Sequence, residues 1–295
     1  MKGLILIYQM GKVGSSALDH TLKELVKANN IEDVKVMHAH FLTDYFVGCE
    51  EAIHGKNYFT VGREGYSRHA SKEAHEIRAM IAECRANNLP VKIITAARDP
   101  IGHSVSSFFE NVDNYLPANP LLEKDTANNI LVGMYLDLCK KYFSENRPRD
   151  FFSEIVFHHF RSAEWFDTEF KEFFGIDIYE KDFNRETGFV TMRKDNIEIF
   201  LYDFAKLRDL GTQLNLFLSD LIKTPFEVVD FNTSDGKSNA GLYKEFKHEV
   251  LQKIPQEAVN KLYNSKYSNY FGYTFSKQQK HLANYVQQRT DTQEP

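Results

Sequence analysis

The chain has 295 residues, 42% of them hydrophobic and 14% aromatic, which is enough apolar surface to bury a full core. A formal net charge of -5 excludes a broad non-specific nucleic-acid surface, because neutralising many phosphates needs a basic excess. No stretch carries the roughly 18 consecutive apolar residues that a membrane span needs, and Cys49, Cys84 and Cys139 are scattered, without metal-ligand spacing, as suits reduced thiols in a cytoplasmic protein.

Residues 3–8, Gly-Leu-Ile-Leu-Ile-Tyr, predict a strand; the run is too short for a signal peptide and lacks a small-residue cleavage site. A polar, glycine-containing loop follows over 9–16. Leu18, Leu22, Leu25 and Val26 then recur at helical spacing and predict a helix over 17–28. A second strand is expected over 34–41, after the turn-forming Asn29 and Asn30. Ala74, Ile77, Ile81 and Cys84 share one face of an amphipathic helix over 71–86, and a third strand follows Pro90 over 91–97. Pro100 suits a first helical turn, and the helix it opens runs through Phe108 and Phe109.

Short apolar strands alternating with helices imply an α/β fold with a mainly parallel sheet flanked by helices. The middle of the chain, 127–174, reads as aromatic-rich helices. Trp165, Phe166, Phe170, Phe173 and Phe174 suit a core, and His158 and His159 suit packing or surface. Residues 189–206 fit a strand pair or a strand and a helix, and 242–252 a further helix. From Lys277 onward the chain is polar and rich in glutamine. With no internal repeat and no low-complexity linker, the pattern suggests one domain over 1–276 and a polar tail over 277–295.

The loop Gln9-Met10-Gly11-Lys12-Val13-Gly14-Ser15-Ser16 lies between a strand and a helix start, where backbone N–H groups and the helix dipole favour an anion. Gly11 and Gly14 allow close backbone approach, Lys12 adds a point charge, and Ser15 and Ser16 add hydroxyl donors. The same octet also fits an ordinary strand-to-helix turn with serine N-caps. It is not a Walker A loop, because the Gly-Lys-Ser/Thr ending is missing.

Lys12-Val13-Gly14-Ser15-Ser16 resembles the 5′-phosphosulfate loop of sulfotransferases. Arg98-Asp99-Pro100-Ile101-Gly102-His103-Ser104-Val105-Ser106 resembles their 3′-phosphate motif, with arginine at a strand end and serine eight residues later on the following helix. About two helical turns separate Arg98 from Ser106, a spacing that lets an arginine fork and a neutral donor meet one phosphate. His103 stands where many relatives have arginine. More narrowly, the chain is similar to bacterial capsular polysaccharide synthesis proteins, the family named for an Asn-Lys-Trp-Tyr-Ser motif; its nearest stretch is the variant Tyr263-Asn264-Ser265-Lys266-Tyr267-Ser268.

The resemblance implies a P-loop nucleotide-hydrolase-like (sulfotransferase) architecture and the donor 3′-phosphoadenosine 5′-phosphosulfate. It implies a carbohydrate or glycoconjugate hydroxyl as acceptor, with no metal. Gly11, Lys12, Val13, Gly14, Ser15, Ser16, Arg98 and Ser106 then become donor-binding residues, Lys12 also a catalytic one, and Lys237, in the polar loop 232–239, a residue closing over the nucleotide. His38 and His40 lie two residues apart at the end of the second strand, where open α/β sheets gather their sites, and either suits a general base. Structural histidines, or a base at Glu64 or Glu73, remain alternatives. No third ligand has zinc spacing beside the pair. Two other classes stay open: a kinase-like enzyme using ATP and magnesium, with Asp99 on the metal, and a non-catalytic nucleotide-binding protein of polysaccharide assembly. The segment 111–126, with Tyr115, Pro117 and Pro120, suits an acceptor-side lid or an ordinary crossover.

Overall fold

In the computed structural model, which describes residues 1–45, 47, 64–110, 124–147, 157–228 and 240–279, one sheet contains β1 (Gly3–Tyr8), β2 (Val34–Ala39), β3 (Val91–Ala97), β4 (Phe189–Lys194) and β5 (Ile197–Asp203). Its order is β2-β1-β3-β5-β4. The pairs β1–β2, β1–β3 and β3–β5 are parallel, and β4–β5 is antiparallel. β1 and β3 are buried at every position, as expected for central strands of a parallel sheet covered on both faces. The predicted mainly parallel α/β sheet is therefore present, and the two-residue turn Asp195-Asn196, with Asp195 left-handed at φ 54°, adds its antiparallel edge.

Contacts divide the chain into two units, Met1–Arg98 with Trp165–Thr233, and Asp99–Glu164 with Ser234–Pro295. The first holds the whole sheet. Helix α1 (Ser15–Ala28) packs on β1 and β2, as does α2 (Glu64–Ala86). The expected strand pair over 189–206 is the β4–β5 hairpin, and a 3₁₀ segment, Phe204–Leu210, leads from it into α5 (Gly211–Leu218). Several boundaries shift: the first helix starts at Ser15 instead of 17, the second strand ends at Ala39 instead of 41, the helix expected over 71–86 starts at Glu64, and the one expected over 242–252 covers Ala240–Lys253.

The second unit is helical among its described residues. α3 (Pro100–Glu110), α4 (Lys124–Phe143), α6 (Ala240–Lys253), α7 (Gln256–Tyr263) and α8 (Lys266–Phe271) surround a core containing Ile101, Phe108, Leu131, Tyr135, Phe160 and Phe246. Phe108 and Phe246 stack with centroids 5.5 Å apart. Asp99 caps α3: its Oδ1 accepts the Gly102 N–H at 2.8 Å, the N-cap arrangement that relieves an unpaired first-turn donor. His159, in the 3₁₀ segment Phe157–Ala163, is fully buried and hydrogen-bonds Ser107 Oγ through Nδ1 at 2.8 Å, in keeping with a packing role. The proposed lid and tail fall largely on 111–123 and 280–295, outside the described residues.

Candidate functional site

The carboxyl ends of the parallel strands supply the candidate groups in spatial order. Parallel neighbours end on the same side, so β2, β1, β3 and β5 deliver His38 and His40, the 9–16 loop, Arg98 and Phe204 along one edge.

Two residues of the loop are left-handed, Lys12 at φ 62° and Gly14 at φ 80°. For Lys12 this conformation costs about 1–2 kcal/mol, so neighbouring structure must enforce it. Gly14 is the N-cap of α1 and no side chain caps that helix start, so the serine-cap alternative is not what forms. Instead Ser15 opens the helix buried, while Ser16 is exposed. A Cβ at Gly14 would lie 2.9 Å from Phe204 Cε2, so only glycine fits. Val13 is buried and anchors the loop to the core.

Arg98 reaches this loop from the adjacent strand. Its Nη1 donates to the Lys12 carbonyl at 2.5 Å, and its guanidinium lies over the Phe204 ring at 5.0 Å. Two cationic residues thus border a helix start lacking a side-chain cap, in a chain whose net charge is negative. Phe204, which wedges against Gly14 and carries Arg98, was not legible as a site residue, because an aromatic after a strand looks like core.

Below the loop, Gln9 is fully buried, and neither its carboxamide oxygen nor its nitrogen has a hydrogen-bond partner. The Tyr202 hydroxyl faces that carboxamide without forming a hydrogen bond of normal geometry, and burial raises its pKa.

His38 and His40 sit with perpendicular rings, centroids 4.6 Å apart. They differ in environment. Burial, then His40 and Lys23, lower the His38 pKa to about 2, and its Nε2 is buried without a partner. The His40 Nδ1 lies 2.7 Å from the Gln9 carbonyl, which can only accept, so Nδ1 carries the proton and Nε2 the lone pair. A Cβ placed on Gly11 would lie 3.9 Å from that Nε2, so the lone pair faces the loop. Burial lowers the His40 pKa, opposed by the Gln9 hydrogen bond and aided by Lys12, which keeps the ring neutral at neutral pH.

The aromatic segment expected to be core does pack, around Tyr8, with Trp165 at 5.1 Å and Phe170 at 5.7 Å between centroids. It also carries polar groups whose role the sequence did not disclose. The Trp165 Nε1–H donates to the His40 carbonyl at 3.1 Å. Glu169, buried in the π-helical turn Phe166–Lys171, accepts from the Thr43 amide at 3.0 Å and Thr43 Oγ1 at 2.5 Å, and also from Tyr8 Oη and the Leu42 amide.

Ser106 lies half-buried on α3 of the second unit. In that unit Tyr263 donates its hydroxyl to Asp99, 2.8 Å from Oδ2 and 3.1 Å from Oδ1. The rest of the motif-like stretch forms a turn: Ser268 Oγ donates to the Leu262 carbonyl at 2.7 Å, and Ser265 caps α8. Glu73 is half-buried on α2; Lys237 and the side chain of Glu64 lie outside the described residues. Among the described residues, no three His, Cys, Asp or Glu side chains gather as a metal site, and no helix is long and apolar enough to cross a membrane. Comparison of the chain with known protein families, with curated proteins and with solved structures gives no match in any of the three.

Proposed function

We propose that this protein is a sulfotransferase of the P-loop nucleotide-hydrolase-like architecture, moving a sulfuryl group from 3′-phosphoadenosine 5′-phosphosulfate to a hydroxyl of a carbohydrate or glycoconjugate. The observation that carries this is the Arg98 guanidinium bonded to the carbonyl of left-handed Lys12, beside a helix start with no side-chain cap. Such a start presents aligned N–H groups, and two flanking cations complete a site for a doubly phosphorylated ligand.

In the transfer, the acceptor oxygen forms a bond to sulfur as the bond from sulfur to the bridging phosphate oxygen breaks. The acceptor proton goes to His40 Nε2, and adenosine 3′,5′-bisphosphate leaves. Lys12 and the loop amides stabilise the charge gathering on the phosphate, and preorganised donors of this kind are worth about 3–4 kcal/mol each. Arg98 holds the 3′-phosphate, and the motif resemblance alone assigns Ser106 to the same group. His40 is favoured over His38 because its tautomer is fixed with Nε2 unprotonated, while the His38 Nε2 is buried and its basicity suppressed. The kinase-like alternative loses support from Asp99, whose carboxylate is occupied by the Gly102 amide and the Tyr263 hydroxyl.

Calorimetric titration with adenosine 3′,5′-bisphosphate without metal, beside ATP with magnesium, tests this. Micromolar bisphosphate binding that is lost in Arg98→Ala and weakened in Ser106→Ala is expected. Preference for ATP with magnesium would overturn the proposal in favour of a phosphotransferase, and a folded protein binding neither would leave a non-catalytic role.

A further inference from the structure

We infer that Trp165, Glu169 and Tyr8 form a clasp that positions His40, and that these three act in the transfer through His40 and not on the substrate. This rests on the base role proposed above for His40.

The residues following β2 are held at consecutive backbone groups. The His40 carbonyl accepts from the Trp165 indole, and the Leu42 and Thr43 amides both donate to Glu169. The Leu42 carbonyl accepts from Arg78 Nε at 2.8 Å. The His40 ring itself is tied to the Gln9 carbonyl. An extended segment leaving a sheet edge has no ladder to fix it, and these contacts replace that ladder residue by residue.

Packing alone does not account for this arrangement. An aromatic cluster around Tyr8 needs no carboxylate, and burying one is unfavourable unless several donors meet it. Glu169 is fully buried, and burial raises its pKa against four donors that lower it. A leucine or methionine would fill the space, so the carboxylate is explained by what it orients. The π-helical turn that carries it is a geometry found often at functional sites. It places Glu169 against 42–43 while Trp165, just before the turn, reaches residue 40.

The consequence for chemistry runs through one torsion. The carbonyl bonded by Trp165 belongs to His40 itself, so releasing it frees the peptide that aims the Cα–Cβ bond. The ring then swings from the Gln9 carbonyl and loses the preference for Nδ1–H. A ring protonated at Nε2 cannot take a proton there.

The test uses Trp165→Phe, which keeps a six-membered aromatic ring against Tyr8 and removes the N–H with the five-membered part of the indole, with Glu169→Gln as a second variant. Long-range proton–nitrogen NMR of the full-length protein reads the His40 tautomer. Turnover is read as adenosine 3′,5′-bisphosphate released from the phosphosulfate donor with water as acceptor. We expect a single Nδ1–H tautomer in the wild type, mixed tautomers in Trp165→Phe, and turnover lower by about tenfold at saturating donor, with bisphosphate affinity unchanged. An unchanged His40 tautomer in Trp165→Phe, or turnover equal to that of an active wild type, overturns the clasp even if Glu169→Gln fails to fold. If the tautomer mixes as expected but no version turns over donor or binds bisphosphate, the clasp stands as a positioning device and the proposed reaction falls.

Discussion

The Arg98 guanidinium donates to the backbone carbonyl of Lys12, 86 residues away in sequence, at 2.5 Å. β1 and β3 are adjacent parallel strands, so the residues leaving their carboxyl ends meet. One face of the guanidinium also lies over Phe204, which follows the next strand, β5. A single arginine therefore ties three strand ends together and braces a loop conformation that lysine would not adopt unaided.

Arg98→Lys keeps the charge and discards the planar fork and the ring stacking. Binding of adenosine 3′,5′-bisphosphate is expected to weaken by about 1.5–3 kcal/mol, roughly ten- to a hundredfold in Kd, the range for a hydrogen bond to a charged group. Calorimetry on the folded variant checks this, and equal affinity would remove Arg98 from the site.

Gly14→Ala meets both a left-handed backbone and the Phe204 ring at 2.9 Å. We expect a loss of about 1–3 kcal/mol in urea unfolding. Adding Phe204→Leu relieves the steric part alone, so the double variant should recover only some of the loss.

His38 gives the protein an acid-sensitive stability. Its folded pKa, about 2, lies below the ordinary 6.5, so the unfolded state binds a proton that the folded state refuses. Its contribution is present above pH 6.5 and is lost as pH falls toward 2, at up to about 1.4 kcal/mol per pH unit. His40, also lowered, acts with the same sign. Urea unfolding of His38→Asn between neutral and acid pH should show a flatter slope than the wild type; an identical slope would show that His38 does not carry the effect.

Tyr263→Phe leaves the Asp99 carboxylate with the Gly102 amide and without its hydroxyl donor. The expected cost is about 1–3 kcal/mol of stability. Burial and the Asp99 charge raise the Tyr263 pKa, so ultraviolet titration should show a tyrosine resisting ionisation in the alkaline range that disappears in the variant.

Much of this molecule is written locally. The runs at 3–8 and 91–97 match β1 and β3 to the residue, because strands buried on both faces are mainly apolar; in β3 the exceptions are Thr95 and Lys92, whose buried ammonium pairs with Glu198 and Asp220. Pro100 marks the start of α3, since proline fixes a first-turn φ and needs no N–H there. Gly14 and Lys12 stood out because glycine beside a charge between strand and helix is a pattern of backbone and sign. The limits were equally local: Asn29 and Asn30 marked a turn, yet nothing in 34–41 told that pairing stops at Ala39.

What the sequence determined by itself is the order of strands and helices and the loop with its lysine, because these follow from period, turn chemistry and the conformational range of single residues. Only the tertiary structure decided that Arg98 braces Lys12, that Phe204 fills the space over Gly14, and that Trp165 and Glu169 hold the segment after His40. Those partners lie 86 to 190 residues apart, and an indole, a carboxylate or a phenyl ring looks the same in sequence whether it fills a core or orients a site. The difference rests on where a hydrogen-bonding group points, which is set when the chain folds back on itself.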